Sequence, residues 1–192
     1  MHKNLPNLFI FLDKYNSQLF KNNNINVGII YRNYSNLKND IELFKIAKAC
    51  KKKGYKLYVS NNIRLATKVK ADGIYIPAFN KTKKFFNLEN KKFKVLGSAH
   101  NHKEIQEKIL QKCSAIFLSP VFYVKKSKTF LNIHKFNSIS NAQNIEIFAL
   151  GGIKESNINK LKLLKIKGFG SISLFKKKPP FKRPVFLKNN FF

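Results

Sequence analysis

Short apolar runs alternate with amphipathic stretches along the whole chain. Leu8-Phe9-Ile10-Phe11-Leu12 and Val27-Gly28-Ile29-Ile30-Tyr31 lack polar alternation, so both predict strands buried on two faces. Lys14 to Asn26 leaves room for at most one short helix between them. Asn36 to Lys53 predicts a helix. Leu37, Ile41, Phe44 and Ala47 form its stripe, Leu43, Ile46 and Cys50 widen it, and Gly54 follows its end. Ser35 or Asn36 can cap its start. The pattern then repeats, with strands at Lys56–Val59, Gly73–Ile76 (stopped by Pro77), Lys94–Ser98 and Ala115–Leu118, the last ending at Ser119-Pro120. Helices are expected at Ile63–Val69, Thr82–Leu88 and Lys103–Lys112, and a weak one near Lys135–Ser140. A strand over Ile145–Leu150 ends at Gly151-Gly152, a helix spans Ser156–Leu164, and Ser171–Leu174 is the last strand.

Eight strands, most followed by helical material, predict a parallel sheet closed into a (β/α)8 TIM barrel, one domain over residues 1–175. Its first helix is weak. After the eighth strand, Lys176-Lys177-Lys178-Pro179-Pro180 cannot start a long helix, so the closing helix is missing or replaced by a basic, proline-containing tail over 176–192. An open doubly wound sheet is the runner-up, weakened because no G-x-G-x-x-G follows the first strand.

Composition refines this picture. A chain of 192 residues buries a core without staples. Cys50 and Cys113 have no metal-ligand spacing around them, so they predict two reduced core thiols and no metal site. No run approaches the ~20 apolar residues of a membrane helix, and the start Met1-His2-Lys3-Asn4 lacks a cleavable leader, so a cytoplasmic protein is expected. The 38 Lys and Arg against 9 Asp and Glu, net +29, would suit a polyanion such as RNA. Lysine is spread over nearly every predicted helix, however, rather than gathered in one patch with interleaved aromatics. Abundant Lys, Asn, Ile and Phe also follow from A/T-rich codons. The charge is therefore expected to concentrate anionic metabolites rather than to mark a nucleic-acid face.

In such a barrel the chemistry lies at the C-terminal strand ends. Those ends carry Arg32, Ser60-Asn61-Asn62, Ser98-Ala99-His100, Ser119-Pro120, the Lys125–Lys128 loop, Gly151-Gly152 and Ile172-Ser173, with no Asp or Glu. That inventory suits anions. Glycines let main-chain amides approach an oxyanion, so Gly151-Gly152, with Ser173 beside them, is the candidate phosphate cradle; alone, a glycine pair would be an ordinary turn. Arg32 suits bidentate phosphate recognition. Lys125, Lys126 and Lys128 form either a loop that closes over an anion or a solvated basic loop. His100 is expected to cap the next helix or bond to backbone, with acid–base work as its alternative role.

Several of these segments together resemble the thiamine phosphate synthase/TenI family: Ala71-Asp72-Gly73-Ile74-Tyr75-Ile76, Ser98-Ala99-His100-Asn101, Ser119-Pro120-Val121-Phe122, Ala149-Leu150-Gly151-Gly152-Ile153 and Gly168-Phe169-Gly170-Ser171-Ile172-Ser173. The resemblance runs from about Leu8 to Leu174. It implies an enzyme of thiamine biosynthesis that joins an aminopyrimidine diphosphate to a thiazole phosphate, giving thiamine monophosphate and pyrophosphate. It implies that Arg32 and Ser98 serve the diphosphate, that Lys125 or Lys126 is the loop lysine (Lys126 is taken as catalytic), and that Gly151, Gly152, Ile172 and Ser173 hold the thiazole phosphate. It also implies Mg2+, but the family's two metal-binding aspartates fall on Asn61 and Asn80. The family's glutamine and lysine around Arg32 become Ile30 and Tyr34, and the catalytic histidine of TenI-type tautomerases falls on Pro120. Two alternatives follow: a non-catalytic binder of thiamine phosphate or a related metabolite, and a basic RNA-associated protein.

Overall fold

The computed structural model describes residues 4–21, 26–33, 40–82, 93–125, 127 and 129–174. Eight parallel strands close in sequence order: β1 (Leu8–Leu12), β2 (Val27–Tyr31), β3 (Lys56–Ser60), β4 (Gly73–Ile76), β5 (Lys94–Ala99), β6 (Ala115–Leu118), β7 (Glu146–Leu150) and β8 (Gly168–Ser171). Pairing of Leu8 with Phe169 and of Ile10 with Ser171 seals the cylinder between β1 and β8. This is the (β/α)8 barrel expected from the alternating pattern.

The continuous apolar strands divide their side chains between two cores because successive residues point to opposite faces. In β1, Leu8, Ile10 and Leu12 face the helices, whereas Phe9 and Phe11 point into the barrel. In β6, Ile116 and Leu118 face out and Ala115 and Phe117 face in. The interior is mostly aromatic: Phe117 lies edge-on to Phe9 at 5.0 Å and to Phe11 at 5.5 Å, and Phe148 lies 5.3 Å away. Gly170 makes room for these rings, since a Cβ there would sit 2.9 Å from Phe11 and 3.1 Å from Phe117.

Between the strands lie α1 (Asp40–Lys53), α2 (Ile63–Lys68), α3 (His102–Leu110) and α4 (Asn132–Asn141), with 3-10 helices at Ser17–Phe20 and Ile158–Leu163. Asn62 and Asn101 cap α2 and α3 by accepting from the Leu65 and Glu104 amides. Three expectations are corrected. The buried face of α1 is Leu43, Ile46 and Cys50, while Ile41 and Phe44 are 62% and 40% exposed. The 43/46/50 spacing is itself a helical stripe, and Phe44 instead lies under the Lys68 ammonium, 5.1 Å from its ring centre. The last strand is Gly168–Ser171 rather than Ser171–Leu174. Pairing with β1 and β7 recruits two glycines of low strand propensity. The segment 156–164 forms a 3-10 helix rather than an α-helix. The expected helix over 82–88 beyond its first residue, the expected beginning of the 36–53 helix before residue 40 and the tail over 176–192 lie outside the described residues.

Cys50 and Cys113 are free and buried. Burial pushes both thiols up from 9.0 to about 12, with the Asp72 charge adding at Cys50. A folded-state pKa above the unfolded one contributes stability that is whole below the unfolded pKa and is lost as pH rises through the folded one. As pH rises from about 9 toward about 12, the wild type is therefore expected to lose stability relative to a Cys50→Ala/Cys113→Ala variant, read from urea midpoints. Parallel pH profiles would contradict this. No helix among the described residues is long and apolar enough to cross a membrane.

Candidate active site at the barrel mouth

The end of β7 turns through two residues of positive φ, Gly151 (+90°) and Gly152 (+72°). The turn is locked from both sides. The Val121 and Phe122 amides donate to the Leu150 and Gly151 carbonyls at 2.9 and 3.2 Å, extending the β6–β7 contact beyond the strands. Asn157 donates through Nδ2 to the Gly152 carbonyl at 2.9 Å and accepts from the Lys154 amide at 2.8 Å. A Cβ on Gly151 would lie 2.8 Å from Pro120 Cα, and one on Gly152 would strike the carbonyl oxygens of Phe122 and Tyr123. Only glycine fits at either position. The carbonyls are thus occupied, while among the described residues no acceptor meets the Gly152 or Ile153 amide.

Beside this turn, β8 ends at Ser171, whose Oγ accepts from the Leu174 amide at 3.1 Å. Ile172 packs on the inner core and Ser173 is exposed. Gly151, Gly152, Ser171, Ile172 and Ser173 together line a cleft of about 800 Å³. Among the described residues its charged lining groups are Arg32, Lys125 and Lys135, with no Asp or Glu, and Val124, Phe130, Leu131 and Ile153 give it an apolar side.

A smaller lobe of about 320 Å³ adjoins it and is lined by Ser98, Tyr75, Phe79, Lys81 and Glu104. Arg32, His100, Ser119 and Leu150 belong to both lobes. Arg32 is positioned by its own amide, which donates to the Leu12 carbonyl at 2.7 Å, and its guanidinium lies 5.5 Å from the Phe11 ring centre. Ser98 is buried at the end of β5. Among the residues singled out from the sequence, Arg32, Gly151, Gly152, Ile172 and Ser173 therefore share one lobe, with Ser98 next door. Lys126 and Lys128 lie outside the described residues, but Lys125 lines the larger lobe.

His100 bonds to backbone, as one of its expected roles required. Its Nδ1 lies 2.8 Å from the Ser119 carbonyl, which can only accept, so Nδ1 carries the proton and Nε2 is left as an acceptor. Ser119 Oγ is 3.3 Å from the same nitrogen. The helix cap belongs to Asn101 instead. The Glu104 carboxylate accepts from the His100 amide, one residue before the cap, at 2.8 Å, a variant of the capping box in the segment Asn-x-x-Glu. Lys135 was missed, because a lysine on a weak helix carries no signal distinguishing it from the other lysines.

Asn61 and Asn80, from the loops after β3 and β4, meet directly: Asn80 Nδ2 donates to Asn61 Oδ1 at 2.8 Å, and Asn80 Oδ1 accepts from the Thr82 amide at 2.9 Å. Magnesium at a phosphate site is usually held by one or two protein carboxylates beside waters and phosphate oxygens. Two neutral amides already bonded to each other do not fit it, and among the described residues no three His, Cys, Asp or Glu side chains gather to hold a metal.

Fold and rim together define a closed (β/α) barrel whose mouth suits anions. A family model described as thiamine monophosphate synthase matches residues 28–175, and the chain belongs to that family. Curated thiamine-phosphate synthases are similar to it. That of Prochlorococcus marinus subsp. pastoris is 33% identical over 124 residues, covering 63% of this chain and 35% of the relative. That of Clostridium tetani is 34% identical over 145 residues, covering 69% and 66%. The chain spans little more than a third of the length of the Prochlorococcus relatives it matches. Thiamine phosphate pyrophosphorylase from Pyrococcus furiosus shares the fold at a TM-score of 0.67 and 15% identity, over 88% of this chain and 86% of that one.

Proposed function

We propose that this barrel is a thiamine phosphate synthase-like transferase, joining an aminopyrimidine diphosphate to a thiazole phosphate and releasing pyrophosphate. One observation carries the proposal: two anion-suited lobes open side by side at the mouth and share Arg32, His100 and Ser119. Two phosphorylated substrates that must react with each other need such an arrangement. Holding them together converts a bimolecular encounter into a local one.

In this reading the Gly152 and Ile153 amides and the Ser173 hydroxyl anchor the thiazole phosphate, with Lys125 or Lys126 and Lys135 offsetting its charge. The thiazole ring rests on the apolar side near Phe130 and Ile153. The diphosphate lies in the smaller lobe against Arg32 and Ser98. The bond between the pyrimidine methylene carbon and the diphosphate oxygen breaks, with its electron pair leaving on oxygen. The thiazole nitrogen lone pair then forms the new carbon–nitrogen bond. No proton need move between carbon centres, so the residues required are those that stabilise departing negative charge, and Arg32 is placed for that.

Purified protein incubated with both substrates is expected to form thiamine monophosphate, detected chromatographically. Arg32→Ala is expected to lower kcat/KM by about 100-fold or more, on the scale of losing a preorganised charge contact. Absence of product at any protein concentration removes the enzyme. The mutually bonded Asn61 and Asn80 favour a second reading, a non-catalytic binder of thiamine phosphate or a related metabolite. Ligand binding without product would select it.

A further inference from the structure

We infer that the smaller lobe takes a diphosphate group without a divalent cation, the loops around it being held by the hydrogen bond between the Asn61 and Asn80 side-chain amides and by the buried Lys108 ammonium. This rests on the proposal that the smaller lobe is the diphosphate side. A divalent ion at a diphosphate does two things: it ties together the loops that supply its carboxylates, and it offsets phosphate charge. Here both tasks fall to the chain's own groups.

The loops after β3 and β4 are already joined at their meeting point. Asn61 takes a positive φ of 56° to reach it, and its amide donates to the Tyr75 carbonyl at 3.0 Å, placing Asn61 Oδ1 2.8 Å from Asn80 Nδ2. From below, α3 grips the same loop. Lys108 has no exposed surface, although lysine is almost never fully buried without partners. Its ammonium donates to the Asn80 carbonyl at 2.6 Å and to Gln111 Oε1 at 2.8 Å. Gln111 Nε2 in turn donates to the Asn80 and Thr82 carbonyls at 3.0 and 2.8 Å. Burying a cation is costly unless it is well bonded, and these bonds converge on the loop that forms the lobe's wall.

The charge task falls to Arg32, which lines both lobes, and to Lys81, carried on the clamped loop. Lys81 also lies 3.3 Å from Glu107. Among the described residues the one carboxylate lining the lobe, Glu104, is engaged with the His100 amide and the Asn101 side chain, so it serves the helix cap rather than a metal.

Titration calorimetry of the full chain with inorganic pyrophosphate, in excess EDTA and in millimolar magnesium, tests this. Wild-type affinity in EDTA is expected to equal or exceed that in magnesium, which competes for the ligand. Arg32→Ala is expected to weaken it by about tenfold or more, a step of about 1.4 kcal/mol. Asn61→Asp/Asn80→Asp, checked for folding by circular dichroism, is expected to bind more weakly in EDTA and to regain affinity with magnesium. Pyrophosphate binding that is absent in both conditions, or that in EDTA falls by more than about tenfold, overturns the inference. The product assay in the same two buffers separates the two proposals. Product formed only with magnesium overturns this inference and leaves the synthase. Pyrophosphate bound in EDTA with no product in either buffer keeps this inference and removes the synthase.

Discussion

Replacing Gly152 with leucine will remove phosphate affinity from the larger lobe while the barrel stays folded. The residue sits at φ +72°, where a side chain is strained whatever the space, and its Cβ would press on the carbonyl oxygens of Phe122 and Tyr123. That carbonyl pair is main chain, so relief requires the turn itself to move, and the amides of residues 152 and 153 move with it. An anchor built from preorganised amides tolerates such displacement poorly. We expect at least about a 100-fold loss of affinity for inorganic phosphate, about 2.7 kcal/mol, and about 1–3 kcal/mol of lost stability from backbone strain. Gly54→Leu is the control. Gly54 has nearly the same φ, +68°, at the end of α1, but nothing lies within 4 Å of its Cβ position. It carries the strain without the collision or the site, so it should lose stability and keep phosphate affinity. Equal affinities for Gly152→Leu and wild type would remove the cradle assignment.

The second large effect is on stability. Phe117→Ala takes away the ring against which Phe9, Phe11, Tyr75 and Phe148 pack from the strands around the cylinder. Nothing outside the barrel can refill that space, because the strand ladder fixes the wall. The cost is expected to be about 3–5 kcal/mol, as for a large aromatic truncated in a closed core. Against a total stability of roughly 5–15 kcal/mol that is a large share, and the urea midpoint should fall accordingly. Phe44→Ala, on the outer side of α1, should cost less than about 1 kcal/mol and move the midpoint correspondingly little. Comparable losses for the two would mean that the aromatic interior is not the organising core.

The barrel was legible because it is written in a repeated, local signal. Strands such as Leu8–Leu12 and Ala115–Leu118 are apolar at every position, as only a sheet covered on both faces permits. The order of such strands with helices between them leaves few topologies. What was not legible depends on tertiary context. Ile41 and Phe44 look like core by hydropathy, yet the neighbouring spacing of Leu43, Ile46 and Cys50 wins the contact with the sheet. The last strand includes Gly168 and Gly170, which no propensity favours, because the β1 register and the bulk of Phe11 and Phe117 require small residues there. At the site, the glycine turn and Arg32 could be found from their places at strand ends. Lys108 could not: only the fold reveals that this lysine, one among many, is enclosed. Likewise the sequence places Asn61 at a strand end, and the family resemblance singles out Asn80, without disclosing that the two bond to each other.

The proposed function depends on the amides after Leu150, beside Ser173, forming an oxyanion cradle at the barrel mouth. A crystal structure of the full chain soaked in thiamine monophosphate addresses it most directly. Phosphate oxygens are expected within about 3 Å of the Gly152 or Ile153 amide and of the Ser173 hydroxyl. A phosphate bound elsewhere, with residues 151–153 turned away from it, would contradict it.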